Sequence, residues 1–442
     1  MSSQSRGRAS SWSPLCPYTV FAMFWYTLAY FFPRDPVDMA PLEGAFPVWL
    51  SLGHDGVWMA LTLAGAVLWV RAWRASGKDI WPGSGIDRRL VAVFLATACL
   101  GAVLAFLHLS HRPANDVLRY DVRDLLMYGS VLVLGGIWLR SPQQVKCWHK
   151  WLVGCIVAVG ILGYAQTYLL PTTRFEHRTY STLSNANNFG FVVAFLLVFA
   201  IMQLDTNGKW SWKWMLAIAL SVGGIILCQS LALLIVLALA FLVGILVARH
   251  RRLVLLSLVG ASLMALVSVW PSKAPHELMA RAVGNFQPEP TRVSVVRRKQ
   301  DLDKTLAELR PSMTATFWES FLFGSWTSPK VITGEPVFLQ HEAVFLQSLR
   351  NSGALVTLGL MAVILGSGCV GISKGRRLRR EGRPQEAAPL LAVGLFLLLC
   401  FFPLFEFHPF LYRFPLNFLT YAWCAVALYY PMGPPLAQKS VS

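Results

Sequence analysis

Residues 212–248 read WKWMLAIALSVGGIILCQSLALLIVLALAFLVGILVA. A helix crossing a bilayer needs about 20 mostly apolar residues, so this stretch is too long for one span and divides near Gln229 and Ser230. Working outward from it, comparable segments lie near 14–33, 50–70, 90–109, 125–139, 151–170, 189–204, 253–270, 352–372, 388–405 and 414–431. With the halves 212–228 and 230–248 they predict twelve transmembrane helices. Composition agrees. The chain is 55% hydrophobic and 14% charged, with a mean hydropathy of +0.52, whereas a soluble domain carries about 25% charged residues. Cytosolic enzymes, nucleic-acid binders and disordered scaffolds are therefore excluded. The expected fold is an all-α polytopic membrane protein with nine spans in 1–270, one large loop with amphipathic helices in 271–351, and three spans and a tail in 352–442.

Charge orients these spans. The 39 Lys and Arg outnumber the 22 Asp and Glu, a net +17. Arg71, Arg74, Lys78, Arg88 and Arg89, then Lys146 and Lys150, Lys209 and Lys213, Arg249, Arg251 and Arg252, and finally Lys374, Arg376, Arg377, Arg379, Arg380 and Arg383 fall on alternate loops. Cytoplasmic loops concentrate such residues, so both termini are expected inside and 271–341 outside. The N-terminal SSQSRGRASS stretch is too polar for a signal peptide and has no cleavage signature. Eight cysteines lie in or beside apolar runs without a CxxC pair, which argues against a disulfide framework or a zinc site. No acidic cluster resembles a metal site, and neither a phosphate-binding Gly-rich loop nor a Gly-x-Ser-x-Gly elbow occurs. No metal and no cofactor are expected. Carboxylates are nearly missing from the spans, unlike in ion-coupled transporters.

The informative cations are those expected outside: Arg112, Arg119, Arg123, Arg174, Arg178 and Arg413, with Arg281, Arg292, Arg297, Arg298, Lys299, Lys304 and Arg310 in the large loop. They suit an anionic ligand at the outer membrane surface; the alternative is local pairing with Asp116, Asp121, Asp124 or Glu176. The stretch from Arg174 to Asn188 is dense in guanidinium, hydroxyl and amide groups, and a guanidinium matches phosphate oxygens in a two-point fork. Asn185 and Asn187 can bond sugar hydroxyls or cap the following helix. In the loop, Arg298, Leu302, Leu306 and Leu309 recur at helical spacing, predicting an amphipathic helix over 295–309, which Pro311 ends. After Pro336, a helix beginning near His341 continues through Phe345 and Ser348 toward the tenth span. The positive end of its dipole favours a neutral imidazole able to accept a proton, although a lone histidine is more often structural.

These residues carry a resemblance. Arg178-Thr-Tyr-Ser181-Thr182-Leu-Ser-Asn185-Ala186-Asn187 resembles the Arg-x-x-Gly-Thr-x-x-Asn-Pro-Asn motif of the O-antigen ligase and polymerase superfamily. His341-Glu342-Ala-Val-Phe345 resembles its closing His-Asn motif, and Gly324 resembles the glycine that precedes it. Ser181, Ala186 and Glu342 depart from the pattern, standing for Gly, Pro and Asn. The resemblance implies a GT-C-like membrane glycosyltransferase of the bacterial inner membrane, with its active site on the periplasmic side. Its donor would be undecaprenyl diphosphate-linked O-antigen and its acceptor lipid A-core, with membrane lipids around it and no nucleic acid partner. His341 would be the general base. Arg178 and a loop arginine (Arg298 by leucine spacing, with Arg297 or Arg292 as alternatives) would hold the diphosphate, beside Arg174 and Asn187. Transfer would be metal-independent and inverting. Oligomeric state is not readable; a monomer is the working expectation. An O-antigen polymerase, a protein O-oligosaccharyltransferase and, from another class, a lipid-linked glycan flippase are the competing readings.

Overall fold

The computed structural model describes residues 18, 21–22, 25, 48–76, 81–107, 123–139, 142–169, 179, 181, 186–285, 322–323, 344–399 and 416–432. Among them the chain forms helices and no strand. In order they are α1 (Val48–Ser76), α2 (Gly85–Leu107), α3 (Arg123–Trp138), α4 (Pro142–Leu169), α5 (Ala186–Asn207), α6 (Trp212–Cys228), α7 (Leu231–Val247), α8 (Arg251–Val269), α9 (Ala274–Asn285), α10 (Val344–Arg380), α11 (Pro384–Leu399) and α12 (Leu416–Tyr429). Eleven of the apolar segments read above fall on helices; the other, 14–33, lies mostly outside the described residues. Among the described residues, four helical stretches are long and apolar enough to cross a membrane: Gln143–Leu169, Phe189–Asn207, Arg251–Ser272 and Gly353–Arg380. The protein is thus an α-helical chain of membrane-protein character.

The long apolar run does break where its length requires. α6 stops at Cys228, and Gln229 takes a left-handed conformation (φ 53°) with its N–H on the Ile226 carbonyl, before α7 restarts at Leu231. A second interruption was not expected. Gly353 (φ 77°, ψ 167°) kinks α10. Beyond the kink, α10 runs on to Arg380, past the end of the expected span.

α5 forms the centre. It is apolar on all sides, and its side chains from Phe189 to Met202 are buried, as a helix without a polar face must be. It packs against α4, α6, α7 and α11. Phe195 stacks on Trp423 of α12 with ring centroids 4.2 Å apart, and Phe396 of α11 meets Trp423 edge-on at 4.7 Å. These offset and edge-to-face geometries are the ones aromatic quadrupoles favour. α11 in turn presses on α10 through small residues. A Cβ built on Gly394 would stand 2.6 Å from the Gly368 carbonyl oxygen and 2.7 Å from the Ile372 nitrogen. Close backbone approach of this kind is how helices associate where no hydrophobic drive separates them from lipid.

The bundle has two chemically different ends. One gathers the basic loops. There Lys374 lies 2.9 Å from Asp87 and also donates to the carbonyls of Ala427 (2.9 Å) and Leu428 (2.7 Å). The cation thus sits at the C-terminus of α12 and the carboxylate in the first turn of α2, each at the helix end whose dipole favours it. Arg379 lies 2.9 Å from the fully buried carboxylate of Asp205, which also accepts the His250 backbone N–H at 2.8 Å. The Asp205 carbonyl accepts from Nδ1 of the same histidine at 2.7 Å. Between α10 and α11, Arg383 holds Glu386 at 2.5 Å, and these hydrogen bonds push its guanidinium further above its ordinary range. Asp87 and Asp205 are thus both buried and paired.

Candidate functional site

The opposite end carries the motif-bearing segment between α4 and α5. α4 ends at Leu169, yet the chain turns back into the bundle by residue 179. Thr179 is fully buried, and its N–H donates to the Leu227 carbonyl at 3.1 Å. Its hydroxyl lies 2.7 Å from that of Thr167, whose own proton goes to the Gly163 carbonyl at 2.9 Å. Thr179 is therefore the donor of the pair.

Ser181 is tied as closely. Its N–H donates to Oε1 of Gln166 at 2.8 Å and its hydroxyl to the Val159 carbonyl at 2.8 Å. Val159 lies ten residues before the end of α4, about 15 Å along the helix axis at 1.5 Å per residue. Thr179 and Ser181 thus sit against the interior of the bundle. Such non-helical backbone is stable at that depth only when protein groups satisfy its N–H and C=O groups. Ser181 has φ 55°, a left-handed conformation that costs an ordinary L-residue about 1–2 kcal/mol and glycine nothing.

The neighbouring elements add polar groups at the same end. Gln229 at the α6–α7 break donates from Nε2 to Oε2 of Glu277 on α9 at 2.6 Å. Tyr164 and Tyr168 of α4 reach Ser268 on α8, Tyr168 through the Ser268 carbonyl. The Ser230 hydroxyl is buried without a hydrogen-bond partner among the described residues. α9 itself is amphipathic. Ala274 and Leu278 are buried against the bundle while Met279 and Val283 face outward, as on a helix lying in the membrane interface.

Of the residues expected to act, Arg174, Arg178, Arg292, Arg297, Arg298 and His341 lie outside the described residues, as do the expected helix over 295–309, Asn185, Gly324 and Glu342. Asn187 falls in the first turn of α5. The arrangement of the expected arginines and histidine thus also falls outside the described residues. Besides Ala186 and Asn187 at the start of α5, the structure describes Thr179 and Ser181 of the motif and the groups that hold them. Gln166, Thr167 and Gln229 were missed. Their signal was present as amides and a hydroxyl inside otherwise apolar runs. Among the described residues no group of three or more His, Cys, Asp or Glu side chains could hold a metal ion. No protein-family model matches the chain, and no curated protein matches it.

Proposed function

We propose that this protein is a twelve-span membrane glycosyltransferase of the O-antigen ligase type, working at the periplasmic face of the bacterial inner membrane. It would move O-antigen from undecaprenyl diphosphate to a sugar hydroxyl of lipid A-core. The observation that carries the reading is Ser181. At the position where the superfamily motif has glycine, this chain has a serine in a glycine-like left-handed conformation. Thr179 and Ser181 are held inside the bundle end by Leu227, Gln166 and Val159, and Arg178 directly precedes that anchored stretch in the chain.

In the proposed reaction the acceptor hydroxyl oxygen attacks the anomeric carbon of the donor sugar. The carbon–oxygen bond to the diphosphate breaks, undecaprenyl diphosphate leaves with the electron pair, and neutral His341 takes the hydroxyl proton. One displacement inverts the anomeric centre. Arg178 and a loop arginine among Arg292, Arg297 and Arg298, with Arg174 nearby in sequence, neutralise the leaving diphosphate. Charge-assisted hydrogen bonds contribute about 1.5–3 kcal/mol each, and general-base help about 10²–10⁴ in rate. The outer loop does contain one Asp-x-Asp pair, Asp301-Leu302-Asp303, so metal dependence belongs in the test.

Purified protein, lipid-diphosphate-linked glycan and lipid A-core are combined with a chelator. Glycan-bearing lipid A-core should form with wild type and be lost in His341→Ala, which still binds donor. Arg178→Lys should also fail, because a point charge does not replace a two-point fork. Longer lipid-linked glycan with untouched lipid A-core would instead identify a polymerase. Activity restored only by added divalent metal would overturn the mechanism. No covalent change with active donor present would favour a flippase.

A further inference from the structure

The basic end contains a cavity that the proposed transfer does not use. The ends of α2, α10 and α12 enclose about 740 Å³, bordered by Trp81, Asp87, Arg88, Lys374, Arg377 and Tyr430. This is within the roughly 300–1,000 Å³ of small-molecule sites and larger than an inorganic phosphate needs. Three cations face one carboxylate across it. Lys374 is already committed, since its ammonium serves Asp87 and the two α12 carbonyls. The two arginines are not. Arg88 places only Nε on the Pro82 carbonyl at 2.8 Å, and Arg377 only Nε on Glu381 at 2.8 Å. The terminal nitrogens of both have no partner among the described residues.

A planar pair of terminal N–H groups is the donor set that phosphate oxygens accept. The surroundings indicate that the phosphate belongs to a lipid. Ile86, at the cavity, begins a stripe on α2 that continues through Val93, Leu100 and Leu107, each seven residues on; Ile86 and Leu107 are 64% and 68% exposed. Seven-residue steps drift only about 20° around a helix, so the stripe is a nearly straight apolar track leading away from the cavity. From Ile86 to Leu100 it covers about 21 Å, a length that accommodates an acyl chain. Trp81, half-buried beside the cavity, is a residue type that settles at the headgroup level of a bilayer, and basic recesses between helix ends are where anionic headgroups bind.

We propose that this cavity binds the phosphate of an anionic phospholipid in the leaflet at the basic end, with Arg88 and Arg377 as its two forks and α2 as the track for a chain. The proposal does not depend on the glycosyltransferase reading. It is tested by native mass spectrometry of the full-length protein with phosphatidylglycerol or phosphatidylcholine of matched chains. Wild type should retain phosphatidylglycerol at least about tenfold better, because both lipids offer the phosphate but only phosphatidylcholine brings a quaternary ammonium against Arg88, Lys374 and Arg377. Arg88→Gln/Arg377→Gln should lose that preference while its melting temperature is unchanged, because both side chains are exposed. Single Arg88→Gln serves if the double variant is unstable. Arg249→Gln/Arg252→Gln removes the same charge from the same end outside the cavity and should keep the preference. Equal retention of both lipids by wild type, or equal loss in the two double variants, would overturn the site. Displacement of phosphatidylglycerol by millimolar inorganic phosphate would show a soluble-anion site instead.

Discussion

Lys374 and Asp87 show how a single pair of residues ties three helices. Both side chains are nearly withdrawn from solvent, 11% and 2% exposed. Breaking a buried ion pair from one side leaves a stranded charge and costs about 3–5 kcal/mol, whereas replacing both partners with apolar groups is often neutral. Lys374→Met should therefore lower the melting temperature sharply in a fixed detergent, and Lys374→Met/Asp87→Leu should recover much of the loss. Recovery stays incomplete because the Ala427 and Leu428 carbonyls still lack their donor. A single variant that melts like wild type would show that the pair does not hold the ends of α2, α10 and α12 together. At this scale the sequence was only partly legible. Lys374 read as one more cytoplasmic-loop cation, because its burial depends on where α2 and α12 end in space. Ser181 was visible as a departure from a glycine, but its left-handed backbone became apparent only with its bonds to Gln166 and Val159.

Among the helices, the bounds were the most legible feature and the irregularities the least. Hydropathy locates an apolar run within a few residues because desolvation is set by composition, and it divided 212–248 where α6 and α7 meet. It is silent on the kink at Gly353 and on the anchoring of Thr179 and Ser181, which come from backbone geometry and from polar partners distant in sequence. The α10–α11 crossing is a further case. Gly368, Gly371 and Gly394 are ordinary members of the apolar runs 352–372 and 388–405, yet at Gly394 there is no room for a side chain. Overpacking a tight contact costs about 1–3 kcal/mol where side chains can give way. Here the obstructing atoms include the Gly368 carbonyl and the Ile372 nitrogen, so Gly394→Leu should exceed that range and leave little monodisperse protein after extraction. Gly382→Ala, at a position with open space but φ 75°, should cost only about 1 kcal/mol. Comparable yields and melting temperatures for the two variants would refute the close crossing.

Across the whole molecule, charge is separated between the two ends of the bundle. Lys146, Lys209, Arg249, Lys374 and Arg383 all belong to the end where α1, α3, α5, α7 and α10 finish, while the anchored Thr179, Ser181 and the α9 surface belong to the other. Inserted chains retain short basic loops on the cytoplasmic side, so the two ends should face opposite compartments. Residue 209, between α5 and α6, and residue 276, on α9, are both exposed and report the two ends. In spheroplasts, a membrane-impermeant maleimide should add signal over wild type for His276→Cys at once, and for Lys209→Cys only after permeabilisation. The result bears on both proposals. A reversed pattern would place Thr179 and Ser181 toward the cytoplasm, where the proposed acceptor is not presented, and would move the Arg88–Arg377 cavity to the outer leaflet. The expected pattern would leave the proposed glycan site and the proposed anionic-lipid site on opposite faces of one bundle, so that Arg88 and Arg377 variants could change lipid retention without touching the groups proposed to bind the donor.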